Sequence, residues 1–182
     1  MLFARVVILG EGDSEAALLP EVAAVWWNAR PETMGVAVVP MDGALNAHTF
    51  ASFLTRIGVP WIVLVDGDAA GVQAQQAIAA DTALTQHAQT RVLLLEQGNV
   101  QVALETFVAR AAPQAVARTF AQGAQHVAAI ARETEQQLVA RLEQGKAVMS
   151  RRLGEELARE WPSRQAMPAA LTRLFTIADS FL

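Results

Sequence analysis

Glu11, Asp66 and Asp68 each follow a strongly apolar run. Val6-Val7-Ile8-Leu9-Gly10 leads into Glu11-Gly12, and Trp61-Ile62-Val63-Leu64-Val65 leads into Asp66-Gly67-Asp68. Short runs rich in β-branched residues and closed by Gly read as buried parallel strands. Ligands of open α/β sheets bind beyond the carboxyl ends of the strands. Two strands therefore deliver carboxylates to one sheet edge, where they repel one another unless a cation neutralises them. Donors that are all oxygen suit Mg²⁺ or Mn²⁺. Plainer readings exist for each residue. Glu11 could cap the following helix. Asp66 and Asp68 could be turn residues around Gly67. They could also form the DxD of a sugar-nucleotide transferase, a motif that does not require Glu-Gly after the first strand.

The elements that would position these groups alternate along the chain. A strand over 3–10 precedes a helix from Ser14 to Trp27, capped by Asp13 or Ser14, with Glu15 in its first turn where the helix dipole favours negative charge. Next come a strand over 35–40, a helix over 47–57 closed by Gly58, and a strand over 61–65 opened by Pro60. A helix over 70–80, a strand over 91–95 and a helix over 100–110 complete the set. This alternation with short connections predicts an α/β fold: a doubly wound, mostly parallel sheet flanked by helices. After Pro113 the strand signal ends. Residues 114–182 carry helical spacing with breaks near Gly123, Gly145, Pro162 and Pro168, so several short helices are expected on or beside the sheet.

Composition narrows the class. The 182 residues are 53% hydrophobic and 18% charged, which describes a folded globular chain. No apolar run approaches the ~20 residues of a membrane span. The absence of a signal-peptide pattern and of Cys fits a cytoplasmic location. Without Cys there are no thiolate metal sites. Without Tyr there is no tyrosine transesterification within this chain. His48, His87 and His126 stand at no ligand spacing. The net charge of −4 argues against a strong nucleic-acid footprint, but its distribution is uneven. Residues 1–91 hold 4 basic and 9 acidic groups, and residues 92–182 hold 10 and 9. Lys146 is the one Lys, beside 13 Arg, which suggests that a compact charge is needed where it stands.

Glu11-Gly12-Asp13-Ser14-Glu15 and Asp66-Gly67-Asp68 resemble the two signatures of a Toprim domain, the metal-dependent module of topoisomerases, primases and certain nucleases. Leu18-Leu19-Pro20, Val38-Val39-Pro40-Met41-Asp42-Gly43 and Ile57-Gly58-Val59-Pro60 sharpen the likeness toward the OLD (overcoming lysogenization defect) nucleases. The resemblance covers residues 1–110 well and continues more weakly through Gly145-Lys146. It implies a Toprim catalytic domain over 1–112 and a helical region over 113–182. It also implies two-metal phosphodiester hydrolysis of DNA, as an endonuclease or nickase, with two Mg²⁺ or Mn²⁺ ions. Glu11, Glu15, Asp66 and Asp68 match the acidic positions, and Lys146 matches a lysine that meets the scissile phosphate. Glu11 with Asp66 would hold one ion and Asp68 with Glu15 the other, ~3.5–4 Å apart.

Two departures from that family are visible. The acid expected after the fourth strand is replaced by Asn99-Val100-Gln101, which leaves Glu105 or Glu96 as a substitute ligand. The ATPase region that precedes Toprim in OLD proteins has no counterpart here, so the chain is expected to be a C-terminal region or a standalone Toprim protein. The partners implied are DNA, an ATPase region and a helicase. The reading from another class is a non-catalytic Toprim module that serves an ATPase or helicase partner. Gln101 and the low basic charge favour it.

Overall fold

The computed structural model describes residues 4–182, with the side chains of 146–150 outside the description. Four strands form a fully parallel sheet: β1 (Val6–Gly10), β2 (Val36–Pro40), β3 (Trp61–Val65) and β4 (Val92–Leu94), in the order β2-β1-β3-β4. The register sets Gly10 beside both Pro40 and Leu64. The chain passes from β1 to β2 on one side, then crosses to β3 on the other. The gap between β1 and β3 is therefore the switch point, the place where such sheets open a crevice at their carboxyl ends.

Strand residues alternate between two cores, as the pleat requires. Val6, Ile8, Ile62, Leu64 and Leu93 face one side; Val7, Leu9, Trp61, Val63, Val65 and Val92 face the other. All are buried because helices cover both faces. The second face is covered by α2 (Ala47–Arg56), α3 (Ala69–Ala80) and α4 (Thr85–Arg91). The first is covered by α1 (Asp13–Trp27), α5 (Leu104–Ala111), α6 (Pro113–Phe120), α7 (Ala124–Ile130), α8 (Glu135–Glu160) and α9 (Ala169–Asp179). The helices after Pro113 thus share one continuous core with the sheet. Trp26 and Trp27 fix the end of α1 to α9: both indoles pack on Phe175, and both N–H groups donate to the Asp179 carboxylate, at 3.0 and 2.7 Å.

Two sequence expectations fail here. Residues 100–103 do not begin a helix. Glu96–Gln97 (β5) and Val100–Gln101 (β6) form an antiparallel hairpin, and α5 starts only at Leu104. Its two-residue turn is Gly98-Asn99, with φ of +59° and +64°. Gly and Asn tolerate that left-handed pair, which matches the strand twist of a tight hairpin. The expected break at Gly145 is also absent, because α8 runs through it for 26 residues. A Thr134–Gln137 capping box starts α8, and Leu138, Leu142, Leu153 and Leu157 bury its inner stripe. Tertiary burial outweighs the ~1 kcal/mol helix cost of a glycine. Lys146 therefore lies mid-helix rather than at a helix start, and its side chain is outside the described residues.

Candidate functional site

The cleft at the switch point has a volume of about 370 Å³ and is lined by Glu11, Gly12, Asp13, Ser14, Glu15, Asp42, Gly43 and Asp66. Five of these eight carry carboxylates and none is basic. Each acid is delivered by a strand end or by the first turn of α1. Glu11 follows β1, Asp42 follows β2 and Asp66 follows β3.

Local hydrogen bonds hold these groups in place. The Asp66 N–H donates to Glu11 Oε2 at 3.2 Å. The Leu104 N–H, in the first turn of α5, donates to Asp66 Oδ1 at 2.9 Å. Glu11 is tied to the loop after β2 through its carbonyl, which accepts the Gly43 N–H at 2.8 Å. The cap of α1 is Gly12, where Asp13 or Ser14 was expected, and Glu15 reaches back to accept its N–H at 3.0 Å. Glu15 so fulfils its plainer role of first-turn acid while remaining only 6% exposed against the cleft.

Burial pushes the Asp66 carboxyl up to about 7, with Glu11 the next cause and Glu15 and Glu105 adding to it; the Leu104 N–H opposes the rise. Glu15 is raised as well, first by burial, and by Glu11 and Glu105. Three acids from three elements, Glu11, Glu15 and Asp66, thus act on one small volume, and Glu105 joins them from α5, buried at 7% exposure. In this conformation no three His, Asp or Glu side chains among the described residues converge to ligating geometry. The donor set nevertheless fits a hard divalent cation. It is all oxygen and lacks any basic neighbour in the lining, and one member, Asp66, is pushed toward neutrality by burial and by the neighbouring carboxylates.

Asp68 stands apart from this group. It is exposed, and its Oδ1 caps α3 by accepting the Gly71 N–H at 2.9 Å. Glu96 is exposed on β5. Gln101 is also exposed and crosses directly over the Asp66–Asp68 loop. A Cβ on Gly67 would lie 2.5 Å from Gln101 Cβ and 2.7 Å from the Leu95 carbonyl oxygen, so only glycine admits the hairpin there. Asp42 was missed as a site residue. Its signal was available, since it follows the run Val36–Pro40 just as Glu11 and Asp66 follow theirs.

Comparisons with known proteins agree with this fold. Residues 2–68 match the family described as Overcoming lysogenization defect protein-like, TOPRIM domain. No curated protein sequence shows significant similarity. Among solved structures, the C-terminal region of the Burkholderia pseudomallei OLD protein superposes with a TM-score of 0.64 at 19% identity, covering 99% of this chain and 100% of that one. The C-terminal region of the Xanthomonas campestris pv. campestris OLD protein gives 0.66 at 20% identity, covering 100% and 98%. Residues 2–68 thus carry the sequence signature of an OLD-like Toprim domain, and the chain has the Toprim fold of OLD C-terminal regions.

Proposed function

We propose that this chain is a divalent-metal-dependent DNA nuclease that hydrolyses phosphodiester bonds at the switch-point cleft. The observation that carries the reading is the convergence of Glu11, Glu15, Asp42 and Asp66 on one cleft whose lining holds no basic side chain. A site so built gains most from bound cationic charge.

Glu11, Glu15, Asp66 and Glu105 would hold Mg²⁺ or Mn²⁺, with Asp68 reaching a second ion after leaving its cap on α3. When bound, the ions supply charge stabilisation at the attacking and leaving oxygens of an in-line displacement. Glu11 and the first turn of α5 orient Asp66. Gly67 lets the β5–β6 hairpin pass closely over the Asp66–Asp68 loop. Lys146 is assigned the developing charge on the phosphate. DNA is the substrate, and an ATPase region and a helicase are the partners of this reading. No described helix is long and apolar enough to cross a membrane, and a cytoplasmic location suits a DNA substrate.

A plasmid-nicking assay with Mg²⁺, Mn²⁺ and EDTA tests the proposal. Cleavage that requires the metal and is lost in Asp66→Asn supports it. A second reading, a non-catalytic Toprim module, is favoured by the exposed Asp68 and by Gln101 in place of an acid. Metal binding without cleavage would select it.

A further inference from the structure

Arg91 is the last residue of α4 and immediately precedes β4, at the amino-terminal edge of the sheet, opposite the edge that carries Glu11 and Asp66. Its guanidinium carbon lies 5.8 Å from the Trp61 ring centroid and 4.9 Å from that of Phe181. The two rings hold the half-buried guanidinium in place. No hydrogen bond or ion pair engages its N–H groups among the described residues. Burial lowers its proton affinity from the usual arginine value. A guanidinium with five donors, held between two rings and engaged by no acceptor among the described residues, leaves those donors open to an anion.

A groove runs from Arg91 between α4 and α9. Its two adjoining parts measure about 390 and 650 Å³ and share Thr90, Thr176 and Ile177. The second part reaches Arg173, which is exposed and likewise makes no ion pair among the described residues. Neither part is lined by Asp or Glu. Thr90, Thr172 and Ser180 spend their hydroxyl protons on main-chain carbonyls, so the available donors are the two arginines, the Thr176 hydroxyl and the Gln89 amide. His87 is pushed down by burial and by Arg91, and so brings no charge at neutral pH. In a chain of net charge −4, this groove is positive and free of acids.

We propose that the α4–α9 groove binds the phosphodiester backbone of a nucleic-acid strand, with Arg91 and Arg173 each meeting a phosphate. The inference rests on the nuclease reading and adds a substrate-holding surface remote from the cleft. A planar guanidinium fork matches phosphate oxygens, and stacking on Trp61 and Phe181 orients that fork in advance. Five residues of β3 span ~17 Å. Arg91 thus lies about one strand length from the edge that carries the cleft.

The test is fluorescence anisotropy of a labelled single-stranded oligonucleotide in EDTA over a salt series. Wild type, Arg91→Ala, Arg173→Ala and the double variant are compared, with thermal melts to verify folding. Each single change should weaken binding several-fold and the double at least tenfold. The slope of log K against log salt should fall by about 0.7 for each arginine removed. Arg91→Lys should keep the salt slope but lose affinity. A folded double variant that binds with unchanged affinity and slope overturns the proposal. Inorganic phosphate titrated alone gives a further arm: tight phosphate binding at Arg91 without oligonucleotide binding also overturns it. The nuclease reading fails separately, through a wild type that binds the strand by this groove yet cleaves no plasmid.

Discussion

The main-chain N–H of Asp66 donates to Glu11 Oε2 at 3.2 Å, joining the ends of the two central strands. Glu11 is thereby held beside the carboxyl group whose ionisation it opposes. The same contact organises the cleft and makes the metal-free cleft electrostatically unfavourable. The predictions about the carboxylates follow from this arrangement.

Asp66→Asn should abolish Mg²⁺- or Mn²⁺-dependent cleavage without destabilising the metal-free fold. The amide oxygen can still accept the Leu104 N–H, and the repulsion with Glu11 is gone. Plasmid nicking and a thermal melt check both halves. Wild-type cleavage by this variant would remove Asp66 from the mechanism.

The pH dependence has a definite sign. Asp66 holds its proton to about pH 7 when folded, against an ordinary value of 3.8. Between these values the folded state binds more protons than the unfolded chain, so this contribution to stability falls as pH rises. It is fully present below about pH 4 and is lost once the pH passes 7. Metal-free wild type should therefore melt lower at pH 8 than at pH 6, and Asp66→Asn should flatten that difference. Because the proton must leave before a cation binds, apparent Mg²⁺ affinity should fall about tenfold per pH unit below 7. Calorimetry across pH reads this directly.

Removing Lys146 should act on rate rather than on metal affinity. Loss of one preorganised donor to a developing charge costs ~10²–10³ in rate. Lys146→Ala should show that loss in kcat with little change in Mg²⁺ titration, and Lys146→Arg should recover part of it. Equal kcat in wild type and Lys146→Ala would dismiss the assignment.

Gln101 crosses over Gly67 in the Asp66-Gly67-Asp68 loop, so a carboxylate placed there joins the same electrostatic neighbourhood. Gln101→Glu should tighten the weaker of two Mg²⁺ sites, seen as a second binding event at lower Mg²⁺ concentration. Two equally tight ions in the DNA-free wild type would contradict this and point to Glu105 or Glu96 as the ligand already present.

Gly67→Ala should displace the hairpin, since its Cβ would meet Gln101 Cβ, the Val102 nitrogen at 2.6 Å and the Leu95 carbonyl. Two of these three are main chain and cannot swing aside. Destabilisation of about 1–3 kcal/mol, with loss of cleavage, is expected. An unchanged melt would mean that the hairpin moves freely.

Neither α4 nor the β5–β6 hairpin was legible in the sequence, but the four strands of the parallel sheet, the helices α1 to α3 and the acids at strand ends were. Each is encoded locally, by an apolar run, a turn residue and the position just after it. Glu11 and Asp66 could be assigned to one edge because parallel strands all end on the same side. The sequence could not reveal that Asp68 caps α3, and it left Glu105 and Glu96 as equal candidates, of which the fold sets Glu105 near enough to act on Asp66. Those outcomes depend on which chain segment arrives nearby. Gly145 reads as a breaker because helix propensity is a local quantity, whereas α8 is held by leucines buried against distant helices. The groove at Arg91 was equally hidden: it exists only because Phe181 comes back, ninety residues later, to close the second side of the guanidinium. Local patterning chose the elements and the acids at their ends, and long-range packing decided which of those groups meet.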